Sequence, residues 1–120
     1  MTFKVEVVLK GRDEVAVEEV SVKHGAPDTW NEDAVRDVLI ETLRSIERAK
    51  DPKSPRDRVV MLTGFSWIVE PIDGKVMLAL EIPMGIAAAG PFAMPQEKLD
   101  ALVTSVMRLE RVGPTSTTVH

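Results

Sequence analysis

The chain has 120 residues, 44% of them hydrophobic, a formal net charge of −4 and no cysteine. That length and apolar fraction suit one domain with its own core, and the absent cysteines exclude disulfides, thiolate metal sites and a cysteine nucleophile. The mild acidity, with neither half strongly basic, argues against a nucleic-acid partner. No apolar run approaches the roughly 18 residues of a membrane span. The opening Met1-Thr2-Phe3-Lys4-Val5-Glu6 is charged where a signal peptide needs a continuous apolar stretch, so a cytoplasmic location is expected.

Residues 2–10 alternate, with Phe3, Val5, Val7 and Leu9 on one face and Lys4, Glu6, Val8 and Lys10 on the other, the period of a half-buried strand. A turn at Gly11-Arg12-Asp13 leads into a second strand. There Val15 and Val17 share a face while Val20 and Val22 are out of phase, so a β-bulge at Glu18-Glu19 is expected to turn all four toward the core. That register pairs Leu9 with Val15 and Val7 with Val17.

The first helix is marked by Thr29-Trp30-Asn31-Glu32, which has capping-box spacing. Its apolar stripe is Val35, Leu39, Leu43 and Ile46, and it should stop by Asp51-Pro52 because the residue before proline avoids helical angles. The locally basic stretch Arg48 to Arg58 reads as a solvated loop.

A second hairpin is expected from about Arg58 to Pro83 around Asp73-Gly74, a dipeptide suited to two positive-φ positions. It pairs Val69 with Leu78, Trp67 with Leu80 and Phe65 with Ile82. The segment Gly85 to Met94 is uncharged and reads as a loop leading to a helix that begins near Pro95. Leu99, Leu102, Val103, Val106 and Leu109 form the stripe of that helix, and Gly113-Pro114 look like its stop. The rest, 114–120, is rich in serine and threonine and is expected to be a disordered tail.

Laying residues 3–48 on 66–111 matches Gly11 with Gly74, Ala16 with Ala79, Glu18 with Glu81, Ala26 with Ala89, Asp37 with Asp100, Leu39 with Leu102 and Glu47-Arg48 with Glu110-Arg111. The matches suggest a duplicated ββα unit, with repeats at 3–50 and 58–112. The order ββαββα predicts a two-layer α+β fold: one domain over 1–113, with a four-stranded, mainly antiparallel sheet and two helices on one face.

Catalytic groups are scarce, because the chain has no cysteine or tyrosine and only two histidines, His24 and His120. His24 with Asp28 could form a proton acceptor and its orienter before a helix start, with Trp30 as a wall; equally, Asp28 can cap the helix and Trp30 can be core. In the Gly85–Met94 segment, Gly85 and Gly90 could let a ligand approach the backbone and Phe92 could form a second wall, or the segment could pack within the fold or against a partner. The spacing of Gly85 and Gly90 matches the Walker glycines, but proline and phenylalanine follow where lysine and serine or threonine are required. The carboxylates Glu6, Glu18 and Glu81 fall on outer sheet faces without a compact ligand motif, so neither a metal nor a cofactor is expected.

The outer sheet face carries more weight. Val60, Leu62, Ile68, Met77 and Ala79 are expected to point away from the helices, beside Val8 and Ala16. A small domain that leaves aliphatic residues uncovered often buries them against a second copy. The expected function is therefore a non-catalytic, self-associating interaction module, a homo-oligomer open to a further protein partner, with no nucleic-acid or membrane partner. The alternative is a small-molecule binder or modest enzyme where the His24 loop and the Gly85–Met94 loop meet.

Overall fold

Strand alternation and two amphipathic helices build an α+β fold with five antiparallel strands and two helices, seen in a computed structural model that describes residues 1–116. The strands are β1 (Thr2–Leu9), β2 (Val15–Ser21), β3 (Ser66–Ile72), β4 (Lys75–Ile82) and β5 (Gly85–Phe92). The helices are α1 (Glu32–Lys50) and α2 (Gln96–Ser116). The sheet order is β2-β1-β5-β4-β3, so β5 is the middle strand and β2 and β3 are the edges.

The expected four strands are thus corrected to five, because Gly85–Phe92 is a strand and not a loop. It pairs with β1 on one side and β4 on the other. Its inward Ala87 and Ala89 are fully buried, and their small side chains let α1 lie close over the sheet. Its tight start needs glycine, since a Cβ on Gly85 would stand 2.4 Å from the Val8 carbonyl oxygen. Pro91 has no N–H for the ladder, and the β4–β5 pairing shifts register between Val76 and Leu78, opposite that end of β5.

The extra strand makes the halves ββα and βββα. Two of the aligned identities also fall on opposite faces, for Ala16 and Glu18 share the helix-covered side whereas Ala79 and Glu81 look away from it. The duplicated unit is not reproduced.

The second hairpin keeps its expected register, Val69 opposite Leu78 and Trp67 opposite Leu80, around a turn with φ of 48° at Asp73 and 77° at Gly74. The first does not. Val8 pairs with Val15 and Val7 with Ala16 in a continuous ladder without a bulge, so Val15 and Val17 face outward and Glu18 faces inward. That polar inward position is tolerated because Arg48 on α1 meets it.

Helix α1 is capped by Asn31, whose side chain accepts from the Ala34 N–H, rather than by Thr29. Thr29 closes a short 3-10 turn, Pro27–Thr29, donating its hydroxyl to the Ala26 carbonyl. The helix ends at Lys50, as the Asp51-Pro52 signal requires. In α2, Leu99, Val103 and Val106 are buried, but Leu109 is exposed. That helix continues past Gly113-Pro114 to Ser116, so the stop expected at Gly113-Pro114 is corrected; the rest of the expected tail, residues 117–120 with His120, lies outside the described residues.

The core lies between sheet and helices. Val5, Val7, Leu78, Leu80, Val35, Val38, Leu39, Leu99 and Val103 are buried, each worth about 1.5–3 kcal/mol. The Phe92 ring makes edge-to-face contacts with Phe3 and Trp30, at centroid distances of 5.2 and 5.0 Å. Among the described residues, no helix is long and apolar enough to cross a membrane.

Candidate functional site

The polar groups singled out for chemistry are largely committed to structural bonds. His24 Nε2 lies 2.7 Å from Asp37 Oδ2 on α1, so its carboxylate partner is Asp37 and not Asp28. Asp28 sits in the 3-10 turn, and its backbone carbonyl accepts from the Lys98 ammonium, tying that turn to α2. Trp30 and Phe92 do meet, as the sequence suggested, but inside the core, and Trp30 Nε1 donates to the Gly25 carbonyl at 2.9 Å. Gly85 and Gly90 lie at the two ends of β5, not in a loop beside His24.

Glu18 is the best-bonded carboxylate. It accepts from Arg48 Nε at 2.9 Å and from the Ser45 hydroxyl at 2.8 Å, and Arg48 Nη2 completes the pair. The Arg48 hydrogen bonds hold the Glu18 carboxyl below its ordinary value of 4.5 against an opposing effect of burial, and the same bond holds Arg48 above its own. This pair fastens edge strand β2 to the last turns of α1. Its oxygens are engaged by donors on the protein itself and are not free to act on a substrate. Among the described residues, no group of three or more His, Asp or Glu stands together as a metal site.

Among the described residues, no element packs over the outer sheet face. The pleat sends every second residue there, and the register lays Val17, Glu6, Ala88, Ala79 and Ile68 in one row across all five strands. The adjoining row is Val15, Val8, Ile86, Glu81 and Ser66. Val17 is 59% exposed, Ile68 52% and Ile86 42%. Ala79 and Ala88 form a low floor between taller neighbours, and a depression of about 240 Å³ opens there, lined by Ser66, Trp67, Ile68, Ala79, Glu81 and Ile86. The charges beside the floor are Glu6, Lys4, Glu19, Glu70 and Glu81.

Of the residues expected on this face, Val8, Ile68, Met77 and Ala79 are there, whereas Ala16, opposite inward Val7, lies on the helix-covered side. Val60 and Leu62 are corrected: they precede β3 in irregular chain, where Leu62 is buried and Val60 packs against the core. The sequence reading missed Val15, Val17 and Ile86. The signal was present, since a strict alternation through β2 without the added bulge puts both valines outward.

Residues 58–64 also roof a second feature. A cleft of about 450 Å³ lies between the end of α1, this irregular segment and the β4–β5 turn, lined by Leu43, Ile46, Val60, Met61, Ile82 and Met84 among others. Val59 and Met61 stand exposed at its rim. Its one edge is charged: Arg58 Nε lies 3.4 Å from Glu47 Oε1, and Arg44 Nε donates to the Arg58 carbonyl at 2.8 Å.

No protein-family model matches the chain, and neither a curated protein nor a solved structure matches it significantly.

Proposed function

We propose that the protein is a non-catalytic interaction module that self-associates through the outer face of its sheet. The observation that carries this reading is the row Val17, Ala88, Ala79 and Ile68, apolar but for Glu6 and crossing the sheet from edge to edge on the side away from the helices. Five strands of about seven residues span a plane of roughly 550 Å². A face-to-face pair then covers about 1,100 Å², above the roughly 1,000 Å² floor of a biological interface and in the range of weak, concentration-dependent ones. The commitment of Glu18 to Arg48 and of His24 to Asp37 supports a binding role over a catalytic one.

Absolute mass by light scattering across a wide concentration range tests this. The expected result is a mass that rises to that of two chains as concentration increases, and that Ile68→Asp holds at one chain. Wild-type protein that stays a single chain at the highest attainable concentration overturns it.

A second reading, a binder of a small apolar ligand, is favoured by the 450 Å³ cleft, whose volume is that of ordinary ligand pockets. Its site is the cleft at the end of α1 rather than the His24 loop. Fluorescence titration with 8-anilinonaphthalene-1-sulfonate, compared with Met61→Glu, tests it: probe binding that the substitution leaves unchanged removes the reading.

A further inference from the structure

The two edges of the sheet are not equivalent. We infer that the β2 edge takes up an extended segment of a partner protein as a sixth strand, antiparallel to β2. That segment sets a lysine or arginine opposite Glu19 and apolar residues opposite Val17 and Val15. Strands added in this way draw affinity from main-chain bonds and specificity from alternate side chains.

The hydrogen-bond phase along β2 follows from the end of its ladder. Met1 and Val22 exchange two bonds, the Val22 N–H donating to the Met1 carbonyl at 2.9 Å and the Met1 nitrogen donating to the Val22 carbonyl at 2.7 Å. In an antiparallel ladder such exchanging pairs recur at every second residue. The register then makes Phe3 with Val20, Val5 with Glu18 and Val7 with Ala16 the bonded pairs. The N–H and C=O groups of Val15, Val17, Glu19 and Ser21 therefore point off the sheet, where β2 has no neighbouring strand. Among the described residues, no turn or loop backbone bonds to them.

The β3 edge, by contrast, is closed. Its phase is set by the Asp73-Gly74 turn, whose flanking Ile72 and Lys75 form the first bonded pair. Pro71, Val69 and Trp67 then face the open side. Pro71 has no N–H to give, the Val69 carbonyl already accepts from Gln96 Nε2 at 3.0 Å, and α2 packs against the strand. Proline and a covering element are devices by which sheets blunt an edge. Strand β2 contains no proline and runs from Val15 to Ser21 without a bulge. An inward charge can also guard an edge, but the Glu18 carboxylate is neutralised by Arg48 on α1.

Side chains and charge choose the occupant. Val15 and Val17 are more than half exposed, and a strand laid along the edge covers one flank of each through cross-strand pairs. Among the described residues, neither Glu19 nor Glu14, just before the strand, forms an ion pair, and β2 has no cation of its own. A second copy centred on Glu18 or on Glu19 sets that carboxylate against its own counterpart. Centred on Val17, it gives Glu19 only a valine and carries Ser21 past the end of the other β2. A foreign strand with a cation in that place pairs with Glu19 directly.

The probe for this inference is a dye-labelled, end-capped seven-residue peptide in which threonines alternate with lysine, valine and valine, in that order. Fluorescence anisotropy against dilute protein is expected to show saturable binding. N-methylation of the first valine, whose N–H faces the β2 edge, weakens it about tenfold or more. N-methylation of the threonine that follows, whose N–H points away, changes affinity by no more than about twofold. Glu19→Lys weakens binding of the same peptide about tenfold and favours a peptide with glutamate in place of lysine by about as much. Absence of saturable binding, equal sensitivity at the two N-methyl positions, or indifference to Glu19→Lys overturns the inference. So does hydrogen exchange at the Val17 and Glu19 amides that slows with rising concentration of the Ile68→Asp chain alone, because it hands the edge to a second copy. The edge is a different surface from the face proposed for self-association, so a wild type that scatters as a single chain leaves this inference standing.

Discussion

On β4, Leu78 and Leu80 are fully buried, whereas Ala79 between them looks to the other side, where Ile68 and Ile86 flank it half in water. The two faces share strands, hydrogen bonds and many of their residue types. What separates them is a layer: α1 packs on β1, β2 and β5, and α2 on β3, all over one side. Apolar residues under that layer stabilise the fold. Apolar residues beyond it do little for the single chain and are available to a partner.

The largest effect that comparison implies is on the covered face. Leu80→Ala leaves a cavity at a fully buried position, and a loss of about 2–5 kcal/mol in urea unfolding is expected. A loss near zero would mean that the layer over β4 is loose and the contrast between faces is not one of packing.

The covered face also holds a charge, which sharpens the comparison. Arg48→Ala strands Glu18 without its main donor, and a loss of about 2 kcal/mol is expected, below the 3–5 kcal/mol of a fully buried pair because Glu18 keeps some contact with water. The sign of the pH dependence follows from the lowered Glu18 carboxyl. Its contribution is fully present above the ordinary value of 4.5 and declines as the pH falls from there through the lowered folded value. Wild type should therefore lose its advantage over Glu18→Gln within that acid window and keep it constant above. An advantage that grows on acidification would remove the ion pair from this account.

A third effect strikes the platform beneath both faces. Gly85→Ala forces a Cβ to within 2.4 Å of the Val8 carbonyl oxygen, so β5 must move off β1. A destabilisation of about 1–3 kcal/mol is expected, read from the same unfolding curves. An unchanged midpoint would show that the start of β5 yields without cost.

These positions also show what could be read in advance. The alternation of β1, the Asp73-Gly74 turn and the stripe Val35, Leu39, Leu43, Ile46 are local patterns, and each was legible. Strand β5 was not. Alanine, glycine and proline have weak strand preference, and what makes 85–92 a strand is the pair of ladders that β1 and β4 offer it, contacts distant in sequence. Glu18 was misplaced for a related reason. An inward glutamate in an edge strand looks wrong until Arg48, thirty residues on, is brought beside it, whereas a bulge that turns Val15, Val17, Val20 and Val22 to the core needs no distant partner. His24 likewise took its partner from the helix, Asp37, instead of from its own loop. The outer face was partly legible because Ile68, Met77 and Ala79 needed only the second hairpin's register, whereas Val17 needed the first hairpin's, which was one residue out.

The smallest effect is expected on the uncovered face, at Ile68→Thr. The replacement keeps a β-branched side chain, so strand preference is retained, and Ile68 is already half exposed. In dilute solution, where single chains prevail, the unfolding free energy should change by no more than about 0.5 kcal/mol. If two copies pair through this face as proposed, the added hydroxyl loses its water there without gaining a partner, and the dissociation midpoint should rise. The two readings separate the faces in one variant. If Ile68→Thr weakened the dilute chain as much as Leu80→Ala does, Ile68 would be serving the fold of the single molecule, and its exposure would no longer mark a docking surface.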